Sequence, residues 1–202
     1  VMRLRLAREG GEAAERDVVG SVVVVMYEDV TRFGVPRKVL DAARAVWSVH
    51  AGVVEENMEA RGWEGGAWRM AAAKVRYVRV CDGGAAQVRF REFLPVLERV
   101  IGDVDEEMEA RGGQLDEETA GLLAVTGYQL GWCLYIKGEY QRAAEVAVTC
   151  LGRVEEVLER RSDLRVSILL GVSGHALERL GKLEQALEMF EEARAITERT
   201  LG

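Results

Sequence analysis

The sequence predicts an all-α protein, a right-handed α-solenoid of about four helix-turn-helix repeats and eight helices. Three observations carry this reading. Gly138 precedes Gly181 by 43 residues, as Ala143 precedes Ala186, Ala147 precedes Phe190 and Cys150 precedes Ala193. A shift of 50 superposes Tyr27 on Tyr77, Val30 on Val80, Gly34 on Gly84, and Met58-Glu59-Ala60-Arg61-Gly62 on Met108-Glu109-Ala110-Arg111-Gly112. Only two prolines interrupt the 202 residues, and the 22 glycines gather at turn-like intervals such as Gly10-Gly11, Gly65-Gly66, Gly83-Gly84 and Gly112-Gly113. Units of this size bury an apolar face by stacking on their neighbours.

Residues 1–17 read either as the end of a preceding helix or as a disordered tail, since Ala7-Arg8 before Gly10 resembles Ala60-Arg61-Gly62. Residues 18–202 are expected to form one repeat domain with units near 18–65, 66–113, 114–162 and 163–202. The helix pairs expected are 18–33 with 37–61, 67–82 with 86–111, 116–137 with 140–161, and 164–180 with 183–200. The β-branched run Val22 to Val25 would suit a buried strand, but the repeat aligns it with helical segments and a lone strand would have no partner. In the second unit Phe93, Val96, Leu97, Val100, Ile101, Val104 and Met108 recur at three- and four-residue steps, one face of a helix. The turn glycine of the third unit, Gly138, falls 54 residues after Gly84, while Val154 and Glu156 keep the offset of 50 from Val104 and Glu106. That unit has gained about four residues before its turn and lost about four after it, close to one helical turn, so the apolar faces keep their direction.

Charge and composition narrow the function classes. A formal net charge of −7 weighs against a phosphate-binding surface, so nucleic acid is not an expected partner. Cys81, Cys133 and Cys150 are odd in number, lie far apart and form no CxxC, which reads as free thiols of a reducing compartment and points to the cytoplasm. The longest apolar run, Val18 to Met26, is about half of what a bilayer requires, so no membrane partner is expected. No targeting signal is visible, and a start on Val1 with an end on Leu201-Gly202 at a repeat boundary reads as a segment of a longer protein.

From Leu130 onward the residues resemble the tetratricopeptide repeat. Leu130-Gly131, Gly138, Tyr140 and Ala143, and later Gly174, Gly181, Ala186, Phe190 and Ala193, fall at that family's spacing. Gly127 stands where Trp is usual, Leu134 and Leu177 where Tyr is usual, Ala147 where Phe is usual, and the closing Pro is absent. The period of 43 is similar to the long variant found in kinesin light chains and in the sensor arrays of nucleotide-binding immune-type receptors. Strong similarity covers residues 124–202; the first two units join through the internal offset of 50 alone. The resemblance implies a scaffold that binds a protein or peptide in the concave groove lined by the first helix of each pair.

Gly127, Leu130, Gly131 and Leu134 share one stripe of the fifth predicted helix, where small residues let another helix approach. Tyr128, Trp132 and Tyr135 follow at steps of four and three on an adjoining stripe. Such rings bury large area at small entropic cost and keep polar tips, which suits a peptide groove; equally, they could pack against the next helix pair. The same register on neighbouring first helices offers Lys74 and Val78 on one side, and Gly171, His175, Glu178 and Arg179 on the other, with Arg32 further along. A groove of this make-up would suit an extended peptide with acidic or aromatic side chains. His50 and His175 sit in different repeats without HxxxH or a Cys/His cluster, so neither metal nor cofactor is expected. Glu64-Gly65-Gly66-Ala67 and Asp82-Gly83-Gly84-Ala85 lack the following Lys-Ser/Thr of a phosphate loop and read as turns. The acidic runs from Asp103 to Glu109 and Glu188 to Glu192 read as solvated helix faces. The expected function is therefore a non-enzymatic interaction scaffold or sensor segment; the alternative is a self-assembly module whose solenoid ends stack on copies of itself.

Overall fold

The computed structural model describes residues 51–62, 65–80, 86–158 and 163–201. Among these residues the structure is all-helical, with no strand. Residues 51–60 are helical and are labelled α1. The elements that follow are α2 (Arg69–Val80), α3 (Ala86–Ala110), α4 (Glu117–Lys137), α5 (Tyr140–Val154), α6 (Leu164–Arg179) and α7 (Leu183–Leu201). The expected helix at 18–33 and residues 37–50 of the one expected at 37–61, together with Arg32, His50 and Cys81, lie outside the described residues.

The chain divides into two compact units, Val1–Val88 and Arg89–Gly202. In the first, Ala51 and Met58 of α1 meet Trp68 and the α2 residues Ala71, Ala72, Val75 and Val78 in one apolar cluster. Glu55 is buried there and accepts hydrogen bonds from Arg76 Nε at 3.2 Å and Arg79 Nη1 at 2.6 Å. A buried carboxylate persists only when paired in this way, because removing its partners would leave an uncompensated charge in a low dielectric.

In the second unit, α4 packs on α5 and on α6, α5 on α6, and α6 on α7. Close approaches fix the directions. Gly127 of α4 lies against Cys150 and Gly131 against Ala143, so α4 and α5 are antiparallel. Gly121, Gly127 and Gly131 lie against Arg165, Leu169 and Val172 in turn, so α4 and α6 run parallel. Ion pairs from Arg142 to Glu98, at 2.9 Å, and from Arg153 to Asp105 tie α5 to α3 with the same sense. The stripe Gly127, Leu130, Gly131 and Leu134 is buried throughout, as a face of small and branched residues between two helices must be. A Cβ on Gly127 would stand 2.6 Å from Cys150 Sγ and 2.8 Å from its Cβ, closer than atoms can pack.

The sequence repeats are also repeats of backbone geometry. Gly62 and Gly112 take φ of 69° and 70°, and Gly138 and Gly181 take 87° and 75°, left-handed values that favour glycine after a helix. At the last two, the following amide donates back to a leucine carbonyl, Glu139 to Leu134 at 2.9 Å and Lys182 to Leu177 at 3.0 Å, which satisfies otherwise orphaned carbonyls. At the opposite ends, Asp116 accepts from the Thr119 amide at 2.8 Å and Asp163 from the Arg165 amide at 2.7 Å, capping α4 and α6. One expected boundary differs by more than two residues. The second helix of the third pair stops at Val154 rather than 161, because the Val154 carbonyl accepts from both Val157 and Leu158 in a tightened turn that buries Leu158.

Candidate functional site

Of the residues singled out in the sequence, Trp132, Tyr135, His175, Glu178 and Arg179 are brought together. Parallel α4 and α6 stand at nearly the same offset as the sequence repeat, so residues 43 apart come level, and Trp132 meets His175 with ring centroids 5.9 Å apart. Trp132 also stacks on Tyr135 within its own helix, at 5.2 Å and 8° between planes, as a three-residue step permits. His175 lies 6.2 Å from Tyr135 and stands edge-to-face with Phe190 of α7 at 4.9 Å. Tyr140, the first residue of α5, closes the cluster against Tyr135 at 5.3 Å. Five rings from four helices thus share one surface, and offset or edge-on pairs of this kind contribute about 0.5–1.5 kcal/mol each beyond area burial.

The cluster is packed and still accessible. Trp132, Tyr135, Tyr140 and Phe190 are half-buried, while the His175 side chain keeps 46% of its surface exposed. Gly174 makes the α6 to α7 part of it possible: a Cβ there would stand 2.7 Å from Phe190 Cε1, so only glycine lets the ring lie on α6 and reach His175. Charges border the rings at the C-terminal end of α6. Arg179 Nη2 donates to Tyr140 Oη at 3.1 Å, and its guanidinium lies 5.1 Å from the centre of that ring, a cation–π contact. That hydrogen bond, with weaker help from neighbouring groups, holds Arg179 above the usual arginine value, so it stays a cation. Glu178 Oε2 lies 3.7 Å from His175 Nδ1.

Tyr128 is half-buried on α4, one turn before Trp132. Lys74 and Val78 belong to the first unit, where Lys74 is half-buried and Val78 is taken up by the apolar core. Tyr140 and Phe190 are additions. Both come from second helices of their pairs, outside the first-helix register expected to line a groove, although Phe190 in place of Ala147, paired with a glycine at 174, marks a ring that needs room.

Groups that could serve chemistry are few. Among the described residues no cluster of three or more His, Cys, Asp or Glu side chains is placed to hold a metal ion. Cys133 and Cys150 are buried, and burial pushes their thiols up to about 11 and about 12, far from the thiolate a nucleophile requires. No described helix is long and apolar enough to cross a membrane. Against models of known protein families, curated proteins and solved structures, the chain finds no match.

Proposed function

We propose that residues 89–202 form a tetratricopeptide-like helical-repeat module, an α-solenoid segment, which binds a protein or peptide on the ring surface of Trp132, Tyr135, Tyr140, His175 and Phe190. One observation carries the reading: five rings from four helices meet on a face that leaves His175 half-exposed instead of sealed in the core. Rings spent only on packing lose most of their surface, whereas rings that anchor a partner keep a face free and pre-ordered. The parallel alignment of α4 with α6, and the antiparallel alignment of α4 with α5, support the solenoid. Arg179, whose polar contact is with a neutral hydroxyl, adds a charge at the rim that can set the orientation of a bound segment.

The test is a peptide-display selection on the 202-residue chain, followed by affinity measurement of the selected peptides on the wild type and on Trp132→Ala/His175→Ala. Loss of binding by at least about tenfold, with unchanged far-ultraviolet circular dichroism, is expected for an anchor ring. Full affinity in a folded double variant removes the ring surface from consideration.

A further inference from the structure

A second exposed apolar stripe lies on the first turns of α7 and runs at four- and three-residue steps toward Phe190, the α7 member of the ring cluster. Leu183 and Leu187 are 64% and 57% exposed, the largest exposures among the big apolar side chains of the described residues. At 100° per residue, Leu187 falls about 40° from Leu183, and Glu191, Glu184 and Glu188 follow at about 80–140°. The result is a two-leucine stripe with a carboxylate flank. No ion pair among the described residues draws on these three carboxylates.

The molecule itself shows what such a face receives. Tyr140 and Ala144 of α5 stand 43 residues before Leu183 and Leu187. α5 packs on α6, Ala144 is 5% exposed, and α6 sets the Arg179 guanidinium on Tyr140. The internal counterpart of the stripe is therefore met by a neighbouring helix that brings a cation to it. Pairing of two copies through α7 has the wrong charge, since an antiparallel contact centred on Leu187 would bring the three carboxylates of each copy into one short interface.

We propose that the Leu183–Leu187 face of α7 docks an amphipathic helix of a partner protein, apolar on one stripe and lined with Lys or Arg beside it. The helix lies across the first turns of α7, from Leu183 to Glu191, about 12 Å at the rise of an α-helix. Its leucine-type side chains cover Leu183 and Leu187 while its cations meet Glu184, Glu188 and Glu191.

The probes are two synthetic helical peptides of about 18 residues, long enough to hold some helix in water. They share a leucine stripe and differ only in a Lys or a Glu flank. Titrated against the full chain, the Lys-flanked peptide is expected to bind at least about tenfold tighter than the Glu-flanked one at low salt, with the gap closing near 0.5 M salt. Leu183→Ser/Leu187→Ser, both at exposed positions, is expected to weaken the Lys-flanked peptide by about tenfold or more. Glu184→Gln/Glu188→Gln/Glu191→Gln is expected to weaken it by about threefold or more. Trp132→Ala is expected to leave it unchanged, which separates this face from the ring surface. Equal binding of the two peptides, or full affinity in the leucine variant, overturns the proposal. So does a concentration-dependent dimer in sedimentation that the leucine variant abolishes, because the occupant is then a second copy.

Discussion

Gly174→Ala tests whether the rings owe their arrangement to a single missing methyl group. The added Cβ would stand 2.7, 2.9 and 3.0 Å from Phe190 Cε1, Cδ1 and Cζ, where carbon contacts relax to about 3.5–4.0 Å. The Phe190 ring must therefore retreat by about 1 Å, away from the position in which it meets His175 at 4.9 Å. Overpacking of this kind costs about 1–3 kcal/mol. Replacing a mid-helix glycine by alanine returns about 1 kcal/mol of backbone entropy and propensity. The two oppose each other, and the variant is expected to lose up to about 2 kcal/mol net. In a Phe190→Ala background the ring is gone, and the same substitution is expected to stabilise by about 0.5–1 kcal/mol. Urea unfolding of the four proteins of this cycle, followed by circular dichroism, gives the coupling directly. A coupling of about 1–3 kcal/mol is expected, and one below about 0.5 kcal/mol would refute the steric reasoning.

Other expectations follow from the same packing. Gly127→Ala sets a methyl group against Cys150 Sγ and Leu169 Cδ2, at 2.6 and 3.3 Å, and is expected to cost about 1–3 kcal/mol in urea unfolding, less when Cys150 is also made smaller. Asp116→Ala and Asp163→Ala remove the caps of α4 and α6 and are expected to cost about 1 kcal/mol each. Burial alone would raise both carboxyls, but the Thr119 amide and Arg111 at one, and Arg165 at the other, leave them below the usual range. Their stabilisation is therefore complete above the ordinary carboxylate value of about 4 and is lost as pH falls through the lower folded values. Urea midpoints should hold between about pH 5 and 7 and fall below about pH 4, less steeply in Asp163→Asn than in the wild type. In a Cys81→Ser background, Cys133 and Cys150, with thiols pushed up to about 11 and about 12, should react with a disulfide reagent at pH 8 at least about 100-fold more slowly than a free thiol until urea is added.

What could be read from the sequence follows from where the physics is local. Turn glycines are dictated by backbone conformation, so Gly62 with Gly112, and Gly138 with Gly181, announced the same turn twice and took the same left-handed φ. The approach of helices through Gly127 and Gly131 was legible for a similar reason, since a stripe of small residues at helical spacing has few other uses. Trp132, Tyr135, His175, Glu178 and Arg179 were found because each lies on the first helix of a pair, at spacings that one helix fixes. Tyr140 and Phe190 were missed because their placement depends on how a second helix docks, which no periodicity within one helix records. Val78 shows the limit from the other side: its spacing matched the groove register, but packing in the first unit buried it. The early end of α5 at Val154 depends on a carbonyl shared between two amides, a detail below the resolution of apolar patterning.

The most direct test of the ring surface compares two folded variants with the wild type, using one display-selected peptide. Isothermal titration of Trp132→Ala/His175→Ala and of Leu183→Ser/Leu187→Ser reports which face the peptide uses. If the five rings are the binding surface, the first variant loses at least about tenfold in affinity and the second keeps the wild-type value. Wild-type affinity in the first variant would contradict that assignment.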